Sequence, residues 1–299
     1  MGPSVFSSKF TFILIVFFYS AAFAAEPSVV VINKPRNDRT YMYDLLKLAL
    51  NYSTKNYQYT TNSETLTHPA QMEAVKDGEL SLMWGGTSEQ MEKDYLPVRI
   101  DGYRGVMSMR FLIIRTGDQA RFDQVQSIQD LKSITFGQGA AWQDSDILEY
   151  AGLQVVRAVK KESLFHMLAG GRIDAFPRGA TEAWDEVESH PQSNLTVEKH
   201  LVIYYPLPTY YFVHRGWPEL AEDIYSGLEK AIADGNFDKY FYNNDRVKTF
   251  FENANLKERR VIKLENPFMP KQQGPMVAEK LQFSIDELIM SSEKAKSAN

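Results

Sequence analysis

The sequence predicts an α/β protein of two lobes, each a mostly parallel sheet flanked by helices, joined by two crossing strands. Three observations predict it. Strand-like and helix-like segments alternate from Val29 to Trp84, and the alternation repeats from Ile134 to Glu188. Two extended apolar stretches, Val106 to Arg115 and Leu201 to Val213, lie between the units. Alternation of this kind builds a sheet with helices on its faces, and two crossings imply that one lobe is inserted into the other. The expected boundaries are residues 25–112 with 208–299 for the first lobe and 113–207 for the inserted one.

In the first unit, Val29 to Ile32 is an apolar run of strand length, and Tyr41 to Leu50 carries apolar residues at helical spacing. Tyr57 to Thr60 alternates as a half-buried strand does. A helix from Pro69 to Lys76 closes at Asp77-Gly78, and Leu80 to Trp84 is a strand breaking at Gly85-Gly86. In the second unit, strands are expected at Ile134–Phe136, Gln154–Val159 and Ile173–Phe176. Helices are expected at Asp144–Ala151, stopped by Gly152, at Glu162–Ala169, ended by Gly170-Gly171, and at Thr181–Glu188. After the second crossing, Pro218 to Ala233 is an amphipathic helix with proline in its first turn. Phe237 to Asn253 reads as helix, Arg260 to Leu264 as a short strand, and Ser284 to Lys294 as a last helix. These tail pieces have no core of their own and are expected to pack on the first lobe.

Composition narrows the function classes. Hydrophobic residues make up 44% and aromatic residues 13%, ample for buried cores. There is no cysteine, which excludes disulfides, thiolate metal sites, a cysteine nucleophile and a lipidated cysteine anchor. The formal charge of −5 and the lack of a basic stripe argue against nucleic acid as a partner. At the amino terminus Lys9 precedes the apolar run Phe10 to Phe18, and Ala22-Phe23-Ala24 closes it. That pattern predicts a secretory signal peptide cut after Ala24 and an exported, unlipidated, periplasmic product.

Neither a cofactor nor a metal site is expected. Gly137-Gln138-Gly139 lacks the third glycine of a dinucleotide fingerprint, and His68, His166, His190, His200 and His214 are scattered without ligand spacing.

Several segments resemble the family 3 extracellular solute-binding proteins. Gln71-Met72-Glu73-Ala74-Val75-Lys76-Asp77-Gly78-Glu79-Leu80, followed by the Gly85-Gly86-Thr87-Ser88 turn, is similar to that family's first lobe. Ser127-Ile128-Gln129-Asp130-Leu131-Lys132 with Ile134 to Gly139 resembles the entry into its second lobe, and Leu168 to Phe176 a later helix and strand. Ala141-Trp142-Gln143-Asp144, Phe176-Pro177-Arg178-Gly179 and Tyr204-Tyr205-Pro206 look like one subgroup of it. The resemblance implies the type II periplasmic fold and hinge closure on a small polar ligand, amino acid-like or an organic acid. It implies no catalysis, a monomer, and an importer permease or a sensor kinase as the membrane partner. Where amino acid binders of the family place an arginine to hold the ligand carboxylate, this chain has Gln90. The same fold also serves exported dehydratases of the prephenate and arogenate type, which use a cleft carboxylate as general acid; Asp38 and Asp144 are the candidates.

Ligands of open α/β sheets sit outside the carboxyl ends of the strands. Four loops meet that rule: Lys34 to Asp38, containing Arg36; Trp84 to Ser88; Gly137 to Trp142, containing Gln138; and Pro177 to Gly179. Arg178 is the first candidate, because a guanidinium at a strand end can grip a carboxylate with two parallel hydrogen bonds. The alternative for it is an ion pair with Glu182, one turn on. Arg110, within an apolar strand, must point at a cleft or close a structural salt bridge. Trp142 and Trp84 either stack on a ligand or pack in a core. Thr87 and Ser88 either donate to ligand oxygens or cap the next helix, and Asp144 reads as a helix cap.

Overall fold

The protein is described from a computed structural model covering residues 28–35 and 40–271, together with Gly2, 286–288 and Met290. The signal segment, Arg36, Asp38 and most of the Ser284–Lys294 helix lie outside the described residues.

The chain begins with β1 (Ser28–Ile32), α1 (Tyr41–Leu50), β2 (Tyr57–Thr61), α2 (His68–Lys76), β3 (Leu82–Gly86), α3 (Glu89–Asp94) and β4 (Leu96–Val98). It continues through β5 (Met109–Arg115), α4 (Gln119–Phe122), α5 (Ile128–Leu131), β6 (Thr135–Gly139), α6 (Gln143–Tyr150), β7 (Gln154–Ala158), α7 (Lys161–Ala169), β8 (Phe176–Gly179) and α8 (Ala183–Glu188). The short β9 (Leu195–Val197) and β10 (Leu201–Tyr204) follow. The last elements are β11 (Thr209–Val213), α9 (Pro218–Ala233), α10 (Asn236–Asn243), α11 (Asp245–Asn253) and β12 (Arg260–Lys263).

These strands form four hydrogen-bonded ladders that join in pairs into two sheets. In the first, β1 and β2 run parallel, and β11 lies between β3 and β4, antiparallel to both. Ser81 joins the two parts: its N–H donates to the Val31 carbonyl at 2.7 Å and its Oγ accepts from the Val31 N–H at 2.8 Å. In the second sheet, β6 runs parallel to β7 and touches β8 through a parallel bridge, Phe136 to Ala175. β5 lies antiparallel to β8 on one edge and to β9 and β10 on the other. Each sheet thus holds one strand running against the others, β11 in the first and β5 in the second. The physical reason is topological. Each of these strands arrives from the other lobe and enters at the end nearest the crossing, so it must run outward against strands that run inward.

Two cores follow from this layering. In β5, Phe111 and Ile113 face one way, joining a cluster that reaches through α7 to α11 and back to the first sheet. Leu112 and Ile114 face the other, against α6 and α5. That is the period-two alternation of a strand covered on both faces. A third cluster, built from Ala74, Val75, Met83 and Phe212, fills the outer face of the first sheet under α2.

Three expectations change. Val106–Arg115 is not itself the crossing: β5 is the spine of the second sheet, and the passages lie at 99–108 and 205–208. Gly85 and Gly86 do not end the third strand, because both stay in register with Tyr210 and Thr209 of β11. The tail does not pack on the first lobe alone. α10 stays with α9, but Asn244 ends it in an extended conformation and caps α11 by accepting from the Arg246 N–H at 3.1 Å. α11 then leans on α8, with Phe250 against Phe111 and Trp184 and Arg246 paired to Asp185 at 3.1 Å. β12 pairs parallel with β10, at the edge of the second sheet. A strand edge left open at β10 offers unpaired N–H and C=O groups, and β12 satisfies them.

Candidate functional site

The ladder registers place the strand-end loops. Gly86 faces Thr209, and Gly179 faces Arg110, which in turn faces Ile203. The Trp84–Ser88 turn and the Pro177–Gly179 segment therefore both lie at the ends of their sheets nearest the two passages.

On the second sheet, two buried arginines form the wall. Arg110 Nε donates to Asp144 Oδ1 at 2.5 Å, the Tyr205 hydroxyl donates to the same oxygen at 2.5 Å, and Arg110 Nη1 reaches the carbonyls of Met107 and Met109. Burial opposes both charges in this pair. The mutual attraction outweighs it, holding the Asp144 carboxyl below its ordinary value and the Arg110 guanidinium above its own. Asp144 does not cap α6, whose N-cap position is Trp142. Chain geometry turns its side chain toward β5 instead, and a carboxylate held ionised in this way is poorly suited to serve as a general acid.

Arg178 is enclosed more fully. Its Nε and Nη2 donate to the two carboxylate oxygens of Glu186 at 2.6 and 3.0 Å, and Nη2 lies 2.9 Å from Glu182. Glu186 is 0% exposed and also receives Lys161 at 2.8 Å. The alternative reading of Arg178, an ion pair with Glu182, is present, and Glu186 takes the bidentate grip that the first reading assigned to a ligand. Three cations (Arg110, Lys161, Arg178) and three carboxylates (Asp144, Glu182, Glu186) make this wall neutral.

Between the two clusters lies Trp142. The Arg178 guanidinium sits 4.7 Å from its ring, and Phe176 stacks nearly parallel to it at 6.3 Å. Gly139 makes room: a Cβ there would lie 2.5 Å from the indole Cε2. The ring is half-buried, so it belongs to the wall without being sealed in a core. Gln138 is fully buried; its Nε2 donates to the Pro177 carbonyl at 3.2 Å, and its Oε1 has no hydrogen-bond partner among the described residues. Gln143 Oε1 shares that condition.

On the first sheet, Thr87 is 0% exposed, donating its hydroxyl to Glu92 at 2.9 Å and its N–H to the Pro208 carbonyl at 3.1 Å. Ser88 Oγ accepts from the Met91 N–H at 3.1 Å and caps α3. Trp84 is half-buried, edge-on to Tyr211 at 6.3 Å. Gln90 is exposed and donates to Asp94 at 2.7 Å. His68, one of the scattered histidines of the sequence, has a buried Nδ1 with no hydrogen-bond partner among the described residues, and its ring stands beside Gly85. Burial pushes its pKa down, so it is neutral near pH 7. No spacing rule marks it, because only the fold brings α2 to β3. Arg36 lies outside the described residues.

Asp101, also unmarked by the sequence, joins the two passages. It is 0% exposed and accepts from the N–H groups of Tyr103 at 2.9 Å, Gly105 at 2.8 Å and, where the second passage enters β11, Thr209 at 3.3 Å. Burial raises its pKa from 3.8 to about 6, the three N–H donors offsetting only part of that rise. A raised folded-state pKa means that its contribution to stability is complete below 3.8 and is lost as pH rises through 6. The size is on the order of 2–3 kcal/mol. The unfolding free energy of Asp101→Asn relative to wild type is therefore expected to improve by that amount between pH 4 and pH 7, as read by urea titration at each pH. A difference that stays flat would mean that Asp101 keeps one protonation state throughout.

Two mixed sheets joined by hydrogen-bonded passages define the type II, two-lobed periplasmic binding fold, and solved structures bear this out. An ancestral arginine-binding protein bound to arginine matches with a TM-score of 0.53 at 19% identity, over 72% of this chain and 96% of its own. A probable amino-acid ABC transporter extracellular-binding protein from Bacillus subtilis matches at 0.54 and 15%, over 72% and 95%. The arginine-, lysine- and histidine-binding protein ArtJ from Geobacillus stearothermophilus matches at 0.53 and 15%, over 75% and 100%. This chain has the fold of the extracellular solute-binding proteins. No protein-family model matches the sequence, and no curated protein matches it.

Proposed function

We propose that this protein is an exported, periplasmic solute-binding protein that captures a small polar ligand, amino acid-like or an organic acid, between two hinged lobes. The observation that supports this reading is the likeness, over 72–75% of this chain, to arginine-binding proteins and to a probable amino-acid ABC transporter extracellular-binding protein. The first lobe is β1 to β4 with β11, α9 and α10, and the inserted lobe runs from β5 to β10 and takes α11 and β12 from the tail. Trp142 and Trp84 supply apolar faces from the two sides, and His68, Gln138 and Gln143 supply polar atoms that lack partners among the described residues. The neutral wall around Arg110 and Arg178 leaves a ligand carboxylate to be met by Arg36 or by the Ser88 backbone N–H. Closure is driven only by contacts that the ligand makes to both lobes at once. The closed protein, a monomer, is then presented to an importer permease or a sensor kinase.

The test is thermal unfolding of the mature protein against amino acids, organic acids, polyamines and short peptides. A true ligand at a hundred times its Kd is expected to add about 2.7 kcal/mol of stability. Trp142→Ala is expected to weaken that ligand about tenfold, a loss of one stacking contact, while keeping the wild-type circular dichroism spectrum. Turnover of prephenate or arogenate in place of binding would replace this reading with an enzymatic one.

A further inference from the structure

The segment after β12 has no part in the proposed ligand contacts, yet it joins the two sheets a further time. Leu264 N–H donates to the Tyr204 carbonyl at 2.8 Å, extending the β10–β12 pairing past the end of the ladder. Asn266, 8% exposed, then clamps the chain: its Nδ2 donates to the Pro206 carbonyl at 2.7 Å and its Oδ1 accepts from the Phe268 N–H at 3.0 Å. Phe268 itself touches both lobes. Its carbonyl accepts from the Glu89 N–H at 3.0 Å, at the first residue of α3 on the first sheet. Its ring stands edge-on to Tyr150 at 6.4 Å, at the end of α6 on the second sheet.

We propose that Leu264–Phe268 is a strap that ties α3 to α6 and the second passage, so that the lobes open only when Phe268 lets go of Glu89. The inference rests on the hinged two-lobe reading. The grip is of a releasable kind. The rest of the segment is anchored by Leu264 and Asn266, both nearly buried, whereas Phe268 is 37% and Tyr150 58% exposed. One backbone hydrogen bond holds the first sheet and one peripheral ring contact holds α6, each of a strength that thermal motion breaks often. The bonded N–H also borders the Thr87-Ser88 turn, so release of the strap and entry of a ligand act on the same stretch of backbone.

The experiment compares the mature protein with the Asn266→Ala/Phe268→Ala variant, without ligand, by amide hydrogen exchange. The Glu89 amide is expected to exchange at least about fivefold faster in the variant, the loss of one net hydrogen bond and its support. The Met91 amide, held by Ser88, and the Ile262 amide of β12 are expected to keep their wild-type rates. Because the chain has no cysteine, Lys76→Cys and Lys132→Cys, both at exposed positions, give clean labels for a distance measurement, and the distribution is expected to shift to longer separations in the variant. Tyr150→Ala, which leaves the tail intact, is expected to shift it in the same direction by less. Unchanged Glu89 exchange and distances overturn the strap, as does equal acceleration at Met91, which would mean that α3 has merely loosened. These readouts need no ligand, so a protein that binds none of the panel but shows them keeps the strap and loses the proposed function.

Discussion

Arg178→Ala is expected to lower the unfolding free energy by about 3–5 kcal/mol, measured by urea titration at pH 7. The loss comes from what remains. Glu186, 0% exposed, would lose both hydrogen bonds of its bidentate partner while staying out of water, with Lys161 left beside it. Trp142 would lose the cation against its face. The companion variant Arg178→Met/Glu186→Leu removes both charges and fills similar volume, and it is expected to recover most of the loss, because two matched charges cost about as much to bury as their pairing returns. A loss under about 1 kcal/mol for Arg178→Ala would mean that Glu186 relaxes or takes up a proton, and would free Arg178 for a ligand. The order of experiments follows. A ligand response abolished by Arg178→Ala says nothing about contact unless the variant is shown to be folded at the assay temperature.

Gly227→Ala is expected to cost about 2–4 kcal/mol, seen as a lower urea midpoint with an unchanged slope. In an exposed helix the same change stabilises by roughly 1 kcal/mol, so the sign itself is diagnostic. Gly227 lies in the buried stripe of α9, pressed against the carboxyl end of α1. A Cβ there would overlap the Ala49 carbonyl, with its carbon at 2.6 Å. Backbone cannot swing aside as a side chain can, so α9 must move away from α1 as a body and open the cluster formed by Leu45, Ala49, Ile224 and Leu228. Stabilisation instead would mean that the two helices separate easily.

Much of the fold is legible in the sequence because it is written in local periodicity. The alternation of Phe111, Leu112, Ile113 and Ile114 between two cores cannot be told from a plain apolar run, but its length and flanks mark a strand. The amphipathic stripe of α9 gives its own boundaries, Pro218 to Ala233, as read. The single helix read from Phe237 to Asn253 hid the break at Asn244, where a side-chain cap competes with helix continuation inside an otherwise periodic segment.

The candidate site was legible only in part. Placing Arg178, Trp142 and the Trp84–Ser88 turn at strand ends needs nothing beyond the order of elements, and the Arg178–Glu182 pair joins residues only four apart across the turn from β8 to α8. Asp144 shows where such reasoning stops. An aspartate before a helix has a local use as a cap, yet here a charged partner 34 residues away, Arg110, competes for it and wins. The carboxylate gains more from a buried guanidinium and a tyrosine hydroxyl than from amide groups that water can also satisfy.

By itself, then, the sequence determined the element order, the two-sheet division, the lack of any thiol chemistry and the loops from which a site could be built. Those depend on residue type and on neighbours within a few turns. Only the tertiary structure decided which charges neutralise one another, that Asp101 links the passages, that His68 stands at Gly85, and that the tail returns to the second sheet and reaches back to α3. These are contacts between segments tens to more than a hundred residues apart. Periodicity carries no information about them, and they are fixed by how the layers stack and by the need of every buried polar group for a partner.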